Sequence, residues 1–467
     1  MRLQKLSQAL ALALGVLACH IPGICKEDAD CPQERAFCLF AENAKEGDDG
    51  VCTHVEPPVI KSFHPLEAKF GEELSIFGEN FSAVSSENSV RLNNELVEIR
   101  FAAETELRVV IPPTLRCAGF VSVTVRGETA ISDVAFSYLP TTVTVSTFAG
   151  SCEKEGYADG TGAEVRFSFP CGIAINAEGT LYVTDRNSNR IRKLTSEGFV
   201  STLVGGAGDA GLLSGPRGIT LDKEGNLYVA DTGNNRIRKV TPQGVVTTFV
   251  GSGKEGNADG AGEAAQLREP RGITLDKEGN FYIADMGNNR ICKVTPQGVV
   301  STFAGSGALG HANGARADAS FNQPRGLAID AAGTLYVADT GNHLIRKLTS
   351  KGEVSTLVGH EQCGFGVADG TGRAAWFNYP AGLTLDGAGN LYIADIWNNR
   401  VRRMTPKGEV STIAGSGPTG AENHGYTDGL GEAAQFYGPN DIALDLKTGN
   451  FYVADTYNHC IRKIVLE

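Results

Sequence analysis

The chain has 467 residues, with 54 acidic against 42 basic side chains, a net charge of −12 and a pI of about 5.3. That length exceeds what one hydrophobic core supports, so several domains are expected. The acidic balance argues against a nucleic-acid backbone as partner, and 58 glycines suit a turn-rich β protein.

Residues 1–18 read as an export signal. Arg2 and Lys5 precede an unbroken apolar run, Ala9 to Ala18, that is too short to span a bilayer. Val16-Leu17-Ala18-Cys19 resembles the bacterial lipobox, which implies cleavage before Cys19, lipidation of its thiol and a membrane anchor. The plainer alternative is ordinary cleavage nearby, with Cys19 a free or paired thiol. Across 19–56, Cys25, Cys31, Cys38 and Cys52 stand amid Asp, Glu, Gly and Pro. Four cysteines in a short exported stretch point to two disulfides in any of three connectivities. A metal site is disfavoured because no CxxC pair is present. The segment reads as a small stapled spacer.

Residues 57–139 form a separate unit after Glu56-Pro57-Pro58. Short alternating stretches (Leu74 to Phe77, Val90 to Leu92, Leu107 to Pro113, Val121 to Val125, Ala135 to Tyr138) predict a β-sandwich of about seven strands. The opening Pro58-Val59-Ile60 and the later Gly78-Glu79-Asn80-Phe81 resemble the IPT/TIG family of immunoglobulin-like domains. The resemblance implies an extracellular spacer or adhesion module without catalytic residues. Cys117 stands alone and reads as a small buried hydrophobe.

From residue 142 to 467 one pattern repeats six times. Its clearest copy runs from Pro216 to Gly251, PRGITLDKEGNLYVADTGNNRIRKVTPQGVVTTFVG, and its aspartates (Asp185, Asp231, Asp285, Asp339, Asp395, Asp455) recur 46 to 60 residues apart. Such a period means a propeller or a solenoid. Each full copy holds four short strands joined by Gly/Asn/Pro turns, and the second strand is apolar on both faces, as in a sheet packed between sheets. The sixth copy ends after three strands, whereas Val143 to Gly150 (VTVSTFAG) matches the fourth strand of the third copy. The N-terminal strand can therefore complete the last blade, giving an all-β, six-bladed β-propeller behind an Ig-like sandwich. The LYVAD and N-x-x-I-R-K signatures resemble the NHL family, and Asn342-His343-Leu344 spells its eponymous tripeptide.

A residue needed once for chemistry is not required six times, so the repeated Asp and the Arg/Lys runs read as structural. The Asp would pin its turn, and Arg236 and Arg238 would reach groups on the adjoining blade. His343 and His459 occupy the turn position of Asn235 and Asn289. His311, His360 and His424 fall in inter-blade loops and share no strand-entry position. The three-histidine zinc site implied by a likeness to amidating-lyase propellers is therefore disfavoured. Residues just after each blade's first proline (Cys171, Arg217, Arg271, Arg325, Ala381, Asn440) should surround the axis. A lactonase-like metal would find oxygen only at Asn440 and Asp441, beside three repelling arginines. Those arginines suit either a positive rim for an anionic ligand or braces between blades, the commoner use of Arg.

Loops entering the blades carry Asp-Gly-x-Gly turns, as at Asp159, and end in Phe167, Leu267, Phe321, Phe377 or Phe436, plugs between blades. Cys152 and Cys171 bracket the first loop and could form a disulfide, whereas Cys292, Cys363 and Cys460 have no evident partner. No cofactor is expected. The pattern points to a binding or scaffold protein whose loop-rich face engages a protein or glycan. The alternatives are a metal-dependent propeller hydrolase or lyase and a purely structural envelope component.

Overall fold

The computed structural model describes residues 36–38, 52–54, 56–69, 72–93, 95–112, 119–138, 142–205, 212–360, 362–415 and 424–466. The expectations for the export signal, Cys19, Cys25, Cys31 and Cys117 lie outside these residues. Strands Ala36–Cys38 and Cys52–His54 pair antiparallel, with Cys38 opposite Cys52.

Residues 59–138 build two facing sheets, one of five strands and one of four, around a core that includes Leu74, Ile76, Val90, Leu107, Val121 and Phe136. The alternating burial along Glu73–Glu79 and Gly119–Val125 is the period-two pattern that a half-buried strand requires.

Beyond it lie six four-stranded antiparallel meanders, five of them with a short extra outer strand. Strand Val143–Ala149 pairs antiparallel with Cys460–Leu466, so the N-terminal strand supplies the outer position of blade six and closes the ring. The Asp-Gly segments do more than turn. Gly160–Thr161 and its counterparts lie as two-residue strands on the outer edge of their own blade. The plugs do sit between blades: Phe167 packs among Leu181, Val183 and Val200 of blade one and Ala443, Tyr452 and Ile461 of blade six.

Inside the repeats the recurring polar residues form a buried network, loosest in blade two, where Arg238 Nε stands 4.0 Å from Asp231. Asp455 is fully buried; its Oδ1 accepts the Tyr437 N–H at 2.7 Å, and its Oδ2 accepts from Asn458 and Arg462 at 2.8 and 3.0 Å. Arg462, equally buried, also donates to the Gln435 and Thr427 carbonyls and to Asp428 while lying over the Phe436 ring. Arg192, Arg346 and Arg402 repeat the arrangement. These bonds stay within one repeat, correcting the expectation that they reach the adjoining blade. The Arg side chain is directed at its own entry loop because that loop folds back along the same sheet. Blade three shows the rule by exception: Cys292 replaces the arginine, and Arg290, two residues earlier, supplies the guanidinium to Asp285 and Asp259.

Adjoining blades are clipped by the residue after each Asx turn. Asn235, Asn289 and Asn399 take left-handed backbone, with φ of 51°, 49° and 52°, and their Oδ1 atoms accept an N–H from the next blade. His343 and His459 do the same with Nδ1, to the N–H of Tyr379 and Phe169, at φ of 58° and 56°. Burial holds both imidazoles below their ordinary pKa, as an acceptor nitrogen requires.

Cys152 is bonded to Cys460, 308 residues away, and not to Cys171, which is a buried free thiol. The expected pairing fails because Cys171 opens the innermost strand, whereas Cys152 follows the outermost one beside Cys460.

Candidate functional site

Each innermost strand starts at a proline that pairs with the repeat's Asp, as Pro216 does with Asp231. The residue after that proline therefore emerges on the axis at one face of the ring. There Cys171, Arg217, Arg271, Arg325, Ala381 and Asn440 surround a small cavity of about 50 Å³. A ring of glycines (Gly172, Gly218, Gly272, Gly326, Gly382) lies beneath them. The close approach explains the glycine: a Cβ on Gly218 would overlap the Arg271 carbonyl.

Blade six breaks that ring with Asp441. Its carboxylate accepts the N–H groups of Ile173 at 3.0 Å and Ile442 at 2.9 Å. Burial nonetheless pushes its pKa up to about 7. By register, the equivalent N–H groups of Ile219, Ile273, Leu327 and Leu383 face the same channel.

The three arginines make no ion pair among the described residues, and the Nε atoms of Arg271 and Arg325 are buried without a hydrogen bond. Burial lowers the pKa of all three, and the like charges of Arg217 and Arg325 help bring Arg271 down to about 8. Guanidinium keeps its proton at neutral pH, so the mouth holds three crowded cations, with the Cys171 sulfur 3.9 Å from Arg217 Nη1. The ion-pairing arginines of the ring are the Arg192 and Arg462 type, not these.

Among the described residues no three His, Cys, Asp or Glu side chains group closely enough to hold a metal ion. His360 packs against Trp376 and His424 against Tyr437. Sequence reasoning missed the aromatic cluster on the same face: Trp397, Tyr457, Tyr437 and Phe169 lie ring to ring. Its signal was available, since Trp397 and Tyr457 stand where blades two to four carry glycine.

The IPT/TIG domain model matches residues 58–145, and the NHL repeat model matches six stretches: 167–194, 213–240, 267–294, 321–348, 377–404 and 436–464. This is an NHL-repeat protein with an IPT/TIG domain ahead of its propeller. The matched NHL stretches run from the inter-blade plug to the strand bearing the buried arginine, so the family signature is the scaffold just described. The NHL-repeat protein is 30% identical over 344 residues to NHL repeat-containing protein 2 of Bos taurus; that alignment covers 67% of its chain and 41% of the relative. In structure it is similar to a Bacteroides thetaiotaomicron protein of unknown function, with a TM-score of 0.61 at 23% identity over 88% of this chain and 98% of the other. An auxiliary nutrient binding protein from the same organism matches with a TM-score of 0.55 at 21% identity over 88% and 97% of the two chains. At these identities both likenesses show the fold.

Proposed function

We propose that this NHL-repeat protein is an exported, lipid-anchored cell-envelope binding protein whose propeller presents its arginine-lined mouth to an anionic group on a protein or glycan. The observation that carries the reading is the convergence of Arg217, Arg271 and Arg325 on the axis with no ion pair to a carboxylate among the described residues. An incoming anion would relieve their mutual repulsion and gain charge-assisted hydrogen bonds. The disulfide between Cys152 and Cys460 supports export, since such bonds persist in oxidising compartments. The attachment of the sandwich also supports it. Ser137 accepts from Arg403 at 2.9 Å and Asn390 at 3.3 Å, and Asn390 lies at the far end of the innermost strand from Ala381. An anchor ahead of the sandwich would leave the arginine mouth facing away from it. The similarity to a protein named for nutrient binding agrees with a ligand-binding role.

Calorimetric titration of the full chain with inorganic sulfate and with acetate tests the reading. The wild type should bind saturably, and Arg217→Ala, Arg271→Ala and Arg325→Ala together should weaken binding at least about ten-fold. The melting temperature should hold or rise, because like charges are removed. No anion binding by the wild type, or a fall of more than about 8 °C in the triple variant, would instead make the arginines braces. Cys19→Ser should move the protein from the membrane to the soluble fraction; unchanged fractionation would remove the anchor.

A further inference from the structure

A coordinated difference among the six blades narrows the ligand class, resting on the anion-site reading just given. After the first-strand proline, blades two, three and four carry Arg217, Arg271 and Arg325, while blades five, six and one carry Ala381, Asn440 and Cys171. Two residues after the buried Asp the pattern inverts: blades two to four carry Gly233, Gly287 and Gly341, and blades five, six and one carry Trp397, Tyr457 and Asn187. The backbone is the same in both halves. The N–H at this position bonds the carbonyl of Ser214, Arg268 or Asn322 at 2.9 Å, or of Asn378, Tyr437 or Ser168 at 3.0 Å. Since glycine serves the fold there, the aromatic rings answer to something else.

They form a row. Trp397, 39% exposed, stacks with Tyr457 at 5.8 Å; Tyr457 meets Tyr437 at 4.9 Å; and Tyr437 stacks with His424 at 4.2 Å. Phe169 stands edge-on to Tyr457 at 5.7 Å and carries the Arg186 guanidinium over its face. The row adjoins the arginines. Thr456 Oγ1 donates to the Pro170 carbonyl at 2.6 Å, which seats the neighbouring Tyr457 over the start of blade one's innermost strand. Tyr457 also lies near both Arg217 and Arg325. Between blades one and two an open cleft of about 600 Å³ leads outward past Arg217, Arg186, Asn187 and Asn189, with Glu155 on its wall. Glu269 also lies near the arginines, and Asp441 lines the same cavity.

We propose that this face binds a short acidic saccharide, with its carboxylate held by the arginine half and successive sugar rings laid on the Trp397–Tyr457–Tyr437 row. A simple anion needs no aromatic platform, and a bulky apolar side chain would need an enclosing pocket, whereas Trp397 at the end of the row is exposed. A pyranose matches both halves: its C–H face suits an aromatic surface, and its hydroxyl rim suits flanking amides such as Asn187, Asn189 and Asn440. The net charge of −12 opposes a long polyanion, which favours a short segment or chain end.

The test is titration of the full chain with tri-galacturonate, its neutral counterpart galactotriose, and sulfate. The double variant Trp397→Gly, Tyr457→Gly installs the residue that blades two to four already carry, so the ring should stay folded; its melting temperature checks this. Tri-galacturonate should bind the wild type, and the double variant should bind it at least about ten-fold more weakly while binding sulfate unchanged. Galactotriose should also bind the wild type at least about ten-fold more weakly than the acid. Equal affinity for acid and neutral sugar, or no effect of the double variant, with sulfate binding intact, would overturn the saccharide assignment alone. Loss of both tri-galacturonate and sulfate binding in the wild type would overturn the anion site as well.

Discussion

Asp441 is the side chain that breaks the glycine ring, and its titration reports on the mouth. Its pKa of about 7 in the folded state lies above the ordinary 3.8, and burial is the main cause, opposed by the Ile173 and Ile442 N–H groups. A carboxyl with a raised folded pKa contributes stability that is complete below the unfolded value and is lost as pH rises through the folded one. Thermal stability should therefore decline between about pH 4 and pH 7, and Asp441→Asn should flatten that slope. The same ionisation places a negative charge beneath Arg217, Arg271 and Arg325. Sulfate, which does not titrate in this range, should bind the wild type more tightly at pH 6 than at pH 8 and bind Asp441→Asn about equally at both. An unchanged pH profile in the variant would assign the effect to another group. Of the mouth residues, the sequence made the arginines and Asp441 legible, because each departs from its neighbours at an aligned position. The role of Asp441 was not legible, since its bond to Ile173 joins the last blade to the first.

Ring closure belongs to single elements. Strand Val143–Ala149 could be assigned to blade six because it repeats the fourth-strand motif that the last copy lacks, and it pairs with Cys460–Leu466 as that motif requires. Its covalent lock was not foreseen. Cys460 occupies the place of Arg236 in its repeat, and its proximity to Cys152 exists only after the ring has closed. The blade-three exchange of Arg290 for the arginine missing at Cys292 was hidden for a related reason: strand residues two apart share a face, so either can supply the guanidinium, and sequence alone does not choose. The lock spans nearly the whole propeller, so the double variant Cys152→Ser, Cys460→Ser should lose about 2–5 kcal/mol. Wild-type protein in dithiothreitol should melt with the variant. A melting temperature indifferent to reductant would mean that strand pairing alone holds the ring.

At the scale of the molecule, one end of the propeller axis is reserved for solvent and the other for attachment. The sandwich docks through Ser137 and Glu67 on Arg403 and Asn390, while the arginines and the aromatic row share the opposite face. The two-domain order and the six-fold ring could be read from repeat length, strand period and the terminal half-repeat. The division of the face into a cationic half and an aromatic half could not, because Trp397, Tyr457 and Phe169 come from three blades and meet only in the closed ring. The central claim, that the mouth is an anion site, is tested most directly by the anomalous scattering of crystals soaked in selenate. A selenium peak on the axis within hydrogen-bond reach of the guanidinium groups of Arg217, Arg271 and Arg325 is the predicted result. An axis without a peak, with the three arginines turned onto carboxylates of neighbouring blades, would contradict it.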